Sequence, residues 1–213
     1  MVRLLARGWQ PGSRTLIKPT HVALNVAPAL LAATPQARAV LLHSSLEDFI
    51  VSNLKKNPQT KDKVGQLATR LLADAGAPSE LLLRVGEAAG WAGLVAAQWL
   101  ATKRLAQALM AAAPGRVIAL TDREQLADVP GHVVELARQL GLPAEPEALA
   151  KHAAAESGRH AKATEVVYDA GLHEREAALI LGRFGSMIAD ALDFAGAVAP
   201  ALLGDGPLRA AVR

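Results

Sequence analysis

Two stretches of this chain carry residue types that chemistry uses. Lys18 and His21 stand three residues apart, and Ser44, Ser45, Ser52, Lys55 and Lys56 follow in a second cluster. A lysine can stabilise charge developing on an oxygen, and a histidine beside it can accept a hydroxyl proton. Lys18 and His21 are therefore the candidate catalytic residues. The serines and lysines are the candidate anion binders, because a helix start has free N–H donors. Ser52 lies seven residues after Ser45, about two helical turns, hence near the same face.

Structural explanations compete with these roles. Ser45-x-x-Asp48 reads as a capping box, Lys18 beside Pro19 as a strand-end lysine reaching solvent, and His21 as a helix-start or surface residue. His152, His160 and His173 lack a metal-ligand spacing with carboxylates, so no metal is expected. No Gly-x-Ser-x-Gly elbow supports a serine nucleophile.

The elements that must position these residues alternate. Thr15–Ile17 is a β-prone run stopped by Pro19, and Val22–Ala33 has apolar residues at helical spacing. Ala39–His43 reads as a buried strand that runs into a helix over Glu47–Lys56. A strand–helix–strand unit of this length must cross over, which makes its strands parallel and puts ligands at their carboxyl ends. Lys18, His21 and Ser44–Ser52 fall there.

Farther on, Asn57–Lys63 reads as a polar loop and Val64–Ala75 as an amphipathic helix. Glu80–Ala113 follows as a long helical region with Gly86, Gly90 and Gly93 inside it and a possible break near Gly90. Trp91, Val95 and Trp99 form a stripe of core type. Val117–Leu120 is a third strand, Gly131–Leu140 a helix capped by Gly141, and Glu147–Ala155 a short helix. Ser157–Lys162 reads as a loop, Ala163–Gly171 is ambiguous, and Glu174–Val198 is a long helix ending at Pro200.

Composition sets bounds. The 213 residues suit one domain, and apolar residues make up 51% with only 3% aromatic, which predicts a thin, helix-heavy core. The net charge of +3 is spread among acidic residues, so no nucleic-acid stripe is expected. Zero cysteines exclude disulfides and thiol catalysis and fit a reducing compartment. Met1–Gln10 lacks a signal-peptide core, and Ala88–Ala101 is too short to span a bilayer, so a cytoplasmic protein without a membrane span is expected.

Lys-Pro after a strand, a helix, Pro35-x-Ala37-x-x-Val40-Leu-Leu and the Ser44-to-Ser52 segment together resemble the sulfotransferases. Val117–Leu142 is similar to a later segment of that family, and His160-Ala-Lys162 with Tyr168-Asp169 to its C-terminal basic loop. The resemblance covers roughly Thr15–Asn57 and Val117–Tyr168. It rests on the order of several weak motifs. It implies a P-loop-type three-layer α/β fold and transfer of a sulfuryl group from 3′-phosphoadenosine 5′-phosphosulfate to a small-molecule or glycan hydroxyl. By the same resemblance Lys18 steadies the phosphosulfate and Ser52 grips the 3′-phosphate.

Two departures qualify it. The family's phosphate-binding arginine falls on Ser44, and no Gly-rich phosphosulfate loop occurs in these residues. A charged hydrogen bond to phosphate contributes about 1.5–3 kcal/mol, so its loss weakens donor binding roughly ten- to a hundred-fold. The expected architecture is accordingly a helix-rich α/β domain with a short parallel sheet of about three strands, an incomplete version of that fold. Its units are a donor-site unit (15–57), a helical insert (64–113), and a third strand with C-terminal helices (117–200). Two functions follow: a sulfotransferase-like enzyme, truncated or inactive, or a non-catalytic interaction module of the same fold. A partner or self-association as a homo-oligomer would complete the module.

Overall fold

The computed structural model describes residues 14–78, 81, 90–157, 159–160, 163–167 and 170–204. A 3-10 turn, His21–Asn25, leads into α1 (Ala27–Ala33), β1 (Ala39–His43), α2 (Leu46–Leu54), α3 (Pro58–Lys61) and α4 (Val64–Asp74). Then come α5 (Gly90–Ala112), β2 (Val117–Thr121), α6 (Asp122–Ala127), α7 (Val129–Leu140) and α8 (Pro146–Ser157). β3 (Arg159–His160), β4 (Ala163–Val167) and α9 (Ala170–Leu203) complete the described chain.

Helix α5 is the body of the molecule. Its alanines and leucines give it strong helical propensity, and residues all around it are buried, among them Val95, Ala96, Ala97, Trp99, Leu100 and Ala101. Against it pack α4 through Leu71 and Leu72, α2 through Leu46 and Ile50, and the second half of α9 through Ile188, Ala195 and Val198. A smaller cluster of Leu31, Leu109 and Ala113 joins α1 and the end of α5 to Ala39, Leu41 and Val117 on the sheet. Gly90 begins α5 with φ +52°, a left-handed conformation that glycine adopts without penalty and that fits the expected break. Gly86 lies outside the described residues.

The sheet is smaller than the sequence implies. β1 and β2 pair in parallel, with Ala39 opposite Val117 and His43 opposite Thr121, and among the described residues no third strand joins them. Thr15–Ile17 is not a strand. Residues 14–20 form no regular structure and are exposed; a three-residue β-prone run is too short to hold a ladder on its own propensity. Lys18 therefore stands in an irregular, exposed segment and not at a strand end. β1 is likewise not buried as expected: Val40 and Leu42 are open to solvent. The fold class that stands is helix-rich α/β with a two-stranded parallel sheet.

Several boundaries shift for local reasons. The helix expected over Val22–Ala33 is split at Val26, with Pro28 at the start of α1. The polar loop after α2 contains α3. Within the expected loop Ser157–Lys162, Arg159–His160 forms β3 and pairs antiparallel with β4 in the ambiguous region, while residues 158, 161–162 and 168–169 (Lys162, Tyr168 and Asp169 among them) lie outside the described residues. α9 runs through Pro200 and kinks at Phe184, between Gly182 and Gly185. Over Glu174–Leu203 it is long and apolar enough to cross a membrane by length and composition. Its inner face, however, is core against α5.

The packing predicts its own test. Leu100 is fully buried in α5, so Leu100→Ala should cost about 2–5 kcal/mol in chemical denaturation. Leu179→Ala, at a residue 75% exposed on α9, should stay within about 0.5 kcal/mol.

Candidate functional site

The carboxyl ends of β1 and β2 gather the most unusual side chains. β1 ends at His43 and passes through Ser44 and Ser45 into α2; β2 ends at Thr121 and passes directly into α6. Both helix starts are capped. Ser45 Oγ accepts from the Asp48 backbone N–H at 3.1 Å and donates to Asp48 Oδ2 at 2.7 Å. Thr121 Oγ1 accepts from the Glu124 N–H, and the Glu124 carboxylate accepts from the Thr121 N–H, a full capping box. Asp48 also pairs with Arg123 at 3.1 Å, which ties the two helix starts together across the rim. The pair is largely exposed on the arginine side and contributes at most about 1 kcal/mol.

Beneath this rim lies Lys103, only 2% exposed. It comes from α5 and extends the four-residue stripe of Trp91, Val95 and Trp99 by one more step. That stripe places it on the buried side. Its Nζ sits 4.6 Å from the centre of the Trp99 ring and 2.7 Å from His43 Nδ1. The Trp99 indole N–H in turn donates to the Ser44 carbonyl at 3.1 Å, fixing the loop after β1. Burial pushes Lys103 down from 10.5 to about 8, against the opposing pull of Asp122. Burial and then the Lys103 ammonium hold His43 below the usual histidine value, with Glu124 pulling the other way.

These shifts fix a protonation pattern. At neutral pH Lys103 is charged and donates to Nδ1, so the neutral His43 ring carries its proton on Nε2. Sequence reasoning passed over both residues. The signal for Lys103 was its place at the next step of the tryptophan stripe; nothing local marked His43.

The expected site residues do not converge. Lys18 is exposed in the irregular segment. His21 opens the 3-10 turn, with Nε2 3.1 Å from Gln98 Nε2, and burial and then Lys56 lower its pKa. Gln98 is buried, and its Oε1 has no partner among the described residues. Ser44 offers its carbonyl to Trp99, and Ser45 is committed to its cap. Ser52 is exposed on the outside of α2. Lys55 pairs with Glu176 of α9 at 2.8 Å, and Lys56 donates to the buried Asn53 at 2.8 Å. The lysines brace helices and do not fold back over the helix start. What the structure does bring together is His21 and Lys56, within electrostatic reach of each other beside Gln98. Among the described residues, no three His, Asp or Glu side chains group as a metal site requires.

No protein-family model matches the chain, and no curated protein or solved structure is significantly similar to it. The sulfotransferase resemblance thus rests on this chain's own residues.

The Lys103 shift predicts a pH profile. Between about pH 8 and 10.5 the unfolded chain holds a proton that folded Lys103 has released. Stability should therefore rise with pH across that window. Urea unfolding of the wild type should record the rise and Lys103→Met should abolish it; equal slopes would mean the ammonium is not desolvated. For His43 the sign is the same at lower pH: the stability of its neutral form is present above pH 6.5 and is lost as pH falls through the depressed folded value.

Proposed function

We propose that this chain is a non-catalytic binding module of helix-rich α/β architecture, built on a P-loop-type, sulfotransferase-like plan, whose open sheet is covered in use by another polypeptide. One observation above all supports this reading: the outer face of the sheet. In the parallel register, Val40 lies beside Ile118 and Leu42 beside Leu120 on one side, while Ala39, Leu41 and Val117 pack inward. Val40 is 38% and Leu42 56% exposed. Parallel sheets ordinarily have both faces covered by helices, so Val40 and Leu42 in water beside the half-buried Ile118 and Leu120 form a surface suited to being occupied. The cysteine-free chain suits a reducing compartment, and the cytoplasm is the proposed location.

The arrangement of the earlier site candidates agrees. Ser45, Lys55 and Lys56 are engaged within the fold, which leaves them as structural parts of the module.

The test uses a reporter of exposed apolar surface. The wild type should bind 1-anilinonaphthalene-8-sulfonate at micromolar concentration while fully folded. Leu42→Asp should abolish the signal and change stability by no more than about 0.5 kcal/mol, since the side chain is mostly in water. An unchanged dye signal in Leu42→Asp would sink the reading.

A second reading, the sulfotransferase-like enzyme, is favoured by one feature: a capped helix start of anion-binding type at the carboxyl end of a parallel strand. It calls for 3′-phosphoadenosine 5′-phosphosulfate as donor and a hydroxyl acceptor, with Lys18 and His21 as its catalytic pair. Calorimetry with adenosine 3′,5′-bisphosphate decides it. Micromolar binding lost in Ser52→Ala supports the donor site, and no heat at millimolar ligand removes it.

A further inference from the structure

The open sheet has an edge as well as a face, and the chemistry at one end of that edge narrows what fits it. Among the described residues only β2 pairs with β1, so the far edge of β1 keeps its backbone N–H and C=O groups unpaired. At the amino end of β1 there is a groove of about 520 Å³, lined by Arg14, Gln36, Arg38, Arg138, Gln139, Leu140 and Gly141. Arg138 is neutralised by Glu135, and Arg38 donates to the Gln139 carbonyl at the end of α7, a contact that leaves its charge unopposed. Arg14 is exposed and makes no ion pair among the described residues. The result is an apolar edge with a cationic end.

We propose that the free edge of β1 takes an extended peptide of a partner protein, apolar at alternate positions and carrying a carboxylate at the end that lies beside Arg14 and Arg38. This rests on the binding-module reading and names its occupant. Backbone hydrogen bonds along β1 supply affinity by strand addition. Peptide side chains on the outer side continue the apolar strip of Val40 and Leu42, and the carboxylate fixes the register at the arginine end.

Charge decides against a second copy of this chain as the occupant. Its own exposed β-prone stretch, Thr15–Ile17, has Leu16 82% in water and would be the segment to offer. That stretch is flanked by Arg14 and Lys18, so either direction of addition brings another cation against Arg14 and Arg38. The net charge of +3 adds to the repulsion.

The experiment is fluorescence anisotropy with a labelled synthetic peptide, Glu-Thr-Val-Thr-Val-Thr-Val, its reversed sequence, and versions with Lys in place of Glu. One of the two Glu peptides should bind about five-fold more tightly than its Lys version, as two exposed charge pairs would give. High salt should erase the difference. Arg14→Glu, at an exposed residue outside any helix or strand, should invert the preference, with Arg38→Glu as the second variant. Leu42→Asp should weaken every peptide. Binding indifferent to charge overturns the proposal. So does absence of peptide binding in a protein whose dye signal still depends on Leu42, which would leave the module reading standing with a different occupant. A dimer seen in sedimentation and broken by Leu42→Asp overturns it in favour of a second copy.

Discussion

The main core of this protein is packed around one helix, Gly90–Ala112, which is apolar around most of its circumference. A helix of that kind cannot rest on a surface. It must be wrapped, and α4, α9, α2 and α1 wrap it. The small side chains of Ala92, Ala96, Ala97 and Ala101 let those helices approach closely. The low aromatic content is compatible with a core for that reason: area is buried through many alanine and leucine contacts made at short range and not through a few large rings. The three buried polar residues of α5 carry the cost. Gln98 Oε1 and Gln107 Nε2 have no hydrogen-bond partner among the described residues, and Lys103 keeps a charge in a desolvated position.

The sheet depends on the same helix through its inner face. Alternation along β1 turns Ala39, Leu41 and His43 toward α1 and α5, and Val40 and Leu42 away from them. Two parallel strands are a poor unit by themselves, since their ladder is short and, among the described residues, neither edge has a further partner strand. What holds them is the packing of Leu41 and Val117 on Leu31 and Leu109, helped by Arg116. Its guanidinium donates to the carbonyls of Leu31, Thr34 and Pro35 and locks the turn that precedes β1. The inner face thus carries the fold, and Val40 and Leu42 on the outer face remain in water.

The sequence made some of this readable and hid the rest. Ala39–His43 and Val117–Leu120 were legible as strands because each is a short apolar run between turn signals, and Gly141 was legible as a helix stop because its left-handed φ of 64° suits glycine. The exposure of Val40 and Leu42 was not legible: an apolar run says that a strand belongs in an interior, not whether a second layer is there to make one. Thr15–Ile17 failed as a strand for the related reason that a β-segment is defined by its partner. The Asp48–Arg123 bridge joins residues 75 positions apart, and no local pattern reports it. Lys55 sat where an anion site would want it, yet its partner Glu176 is set by how α9 packs on α2, which spacing does not reveal; Lys56 reaches back only three residues, to Asn53.

Lys103 is the residue that packing alone would have replaced. At its position on α5 a methionine or leucine would meet Trp99 and the inner face of β1 with no desolvation cost, and exchanging a buried charge for an apolar side chain is often neutral or stabilising. The ammonium is kept and given compensation on two sides, the Trp99 ring below and the His43 ring nitrogen above. That arrangement couples a helix in the core to the last residue of β1 and, through the Trp99–Ser44 hydrogen bond, to the loop that starts α2. The rim is thereby fixed in position even though the sheet it belongs to is short and uncovered. On the binding-module proposal, a strand edge meeting another chain in a defined register needs that kind of anchoring from within, and an apolar contact, being non-directional, would not supply it.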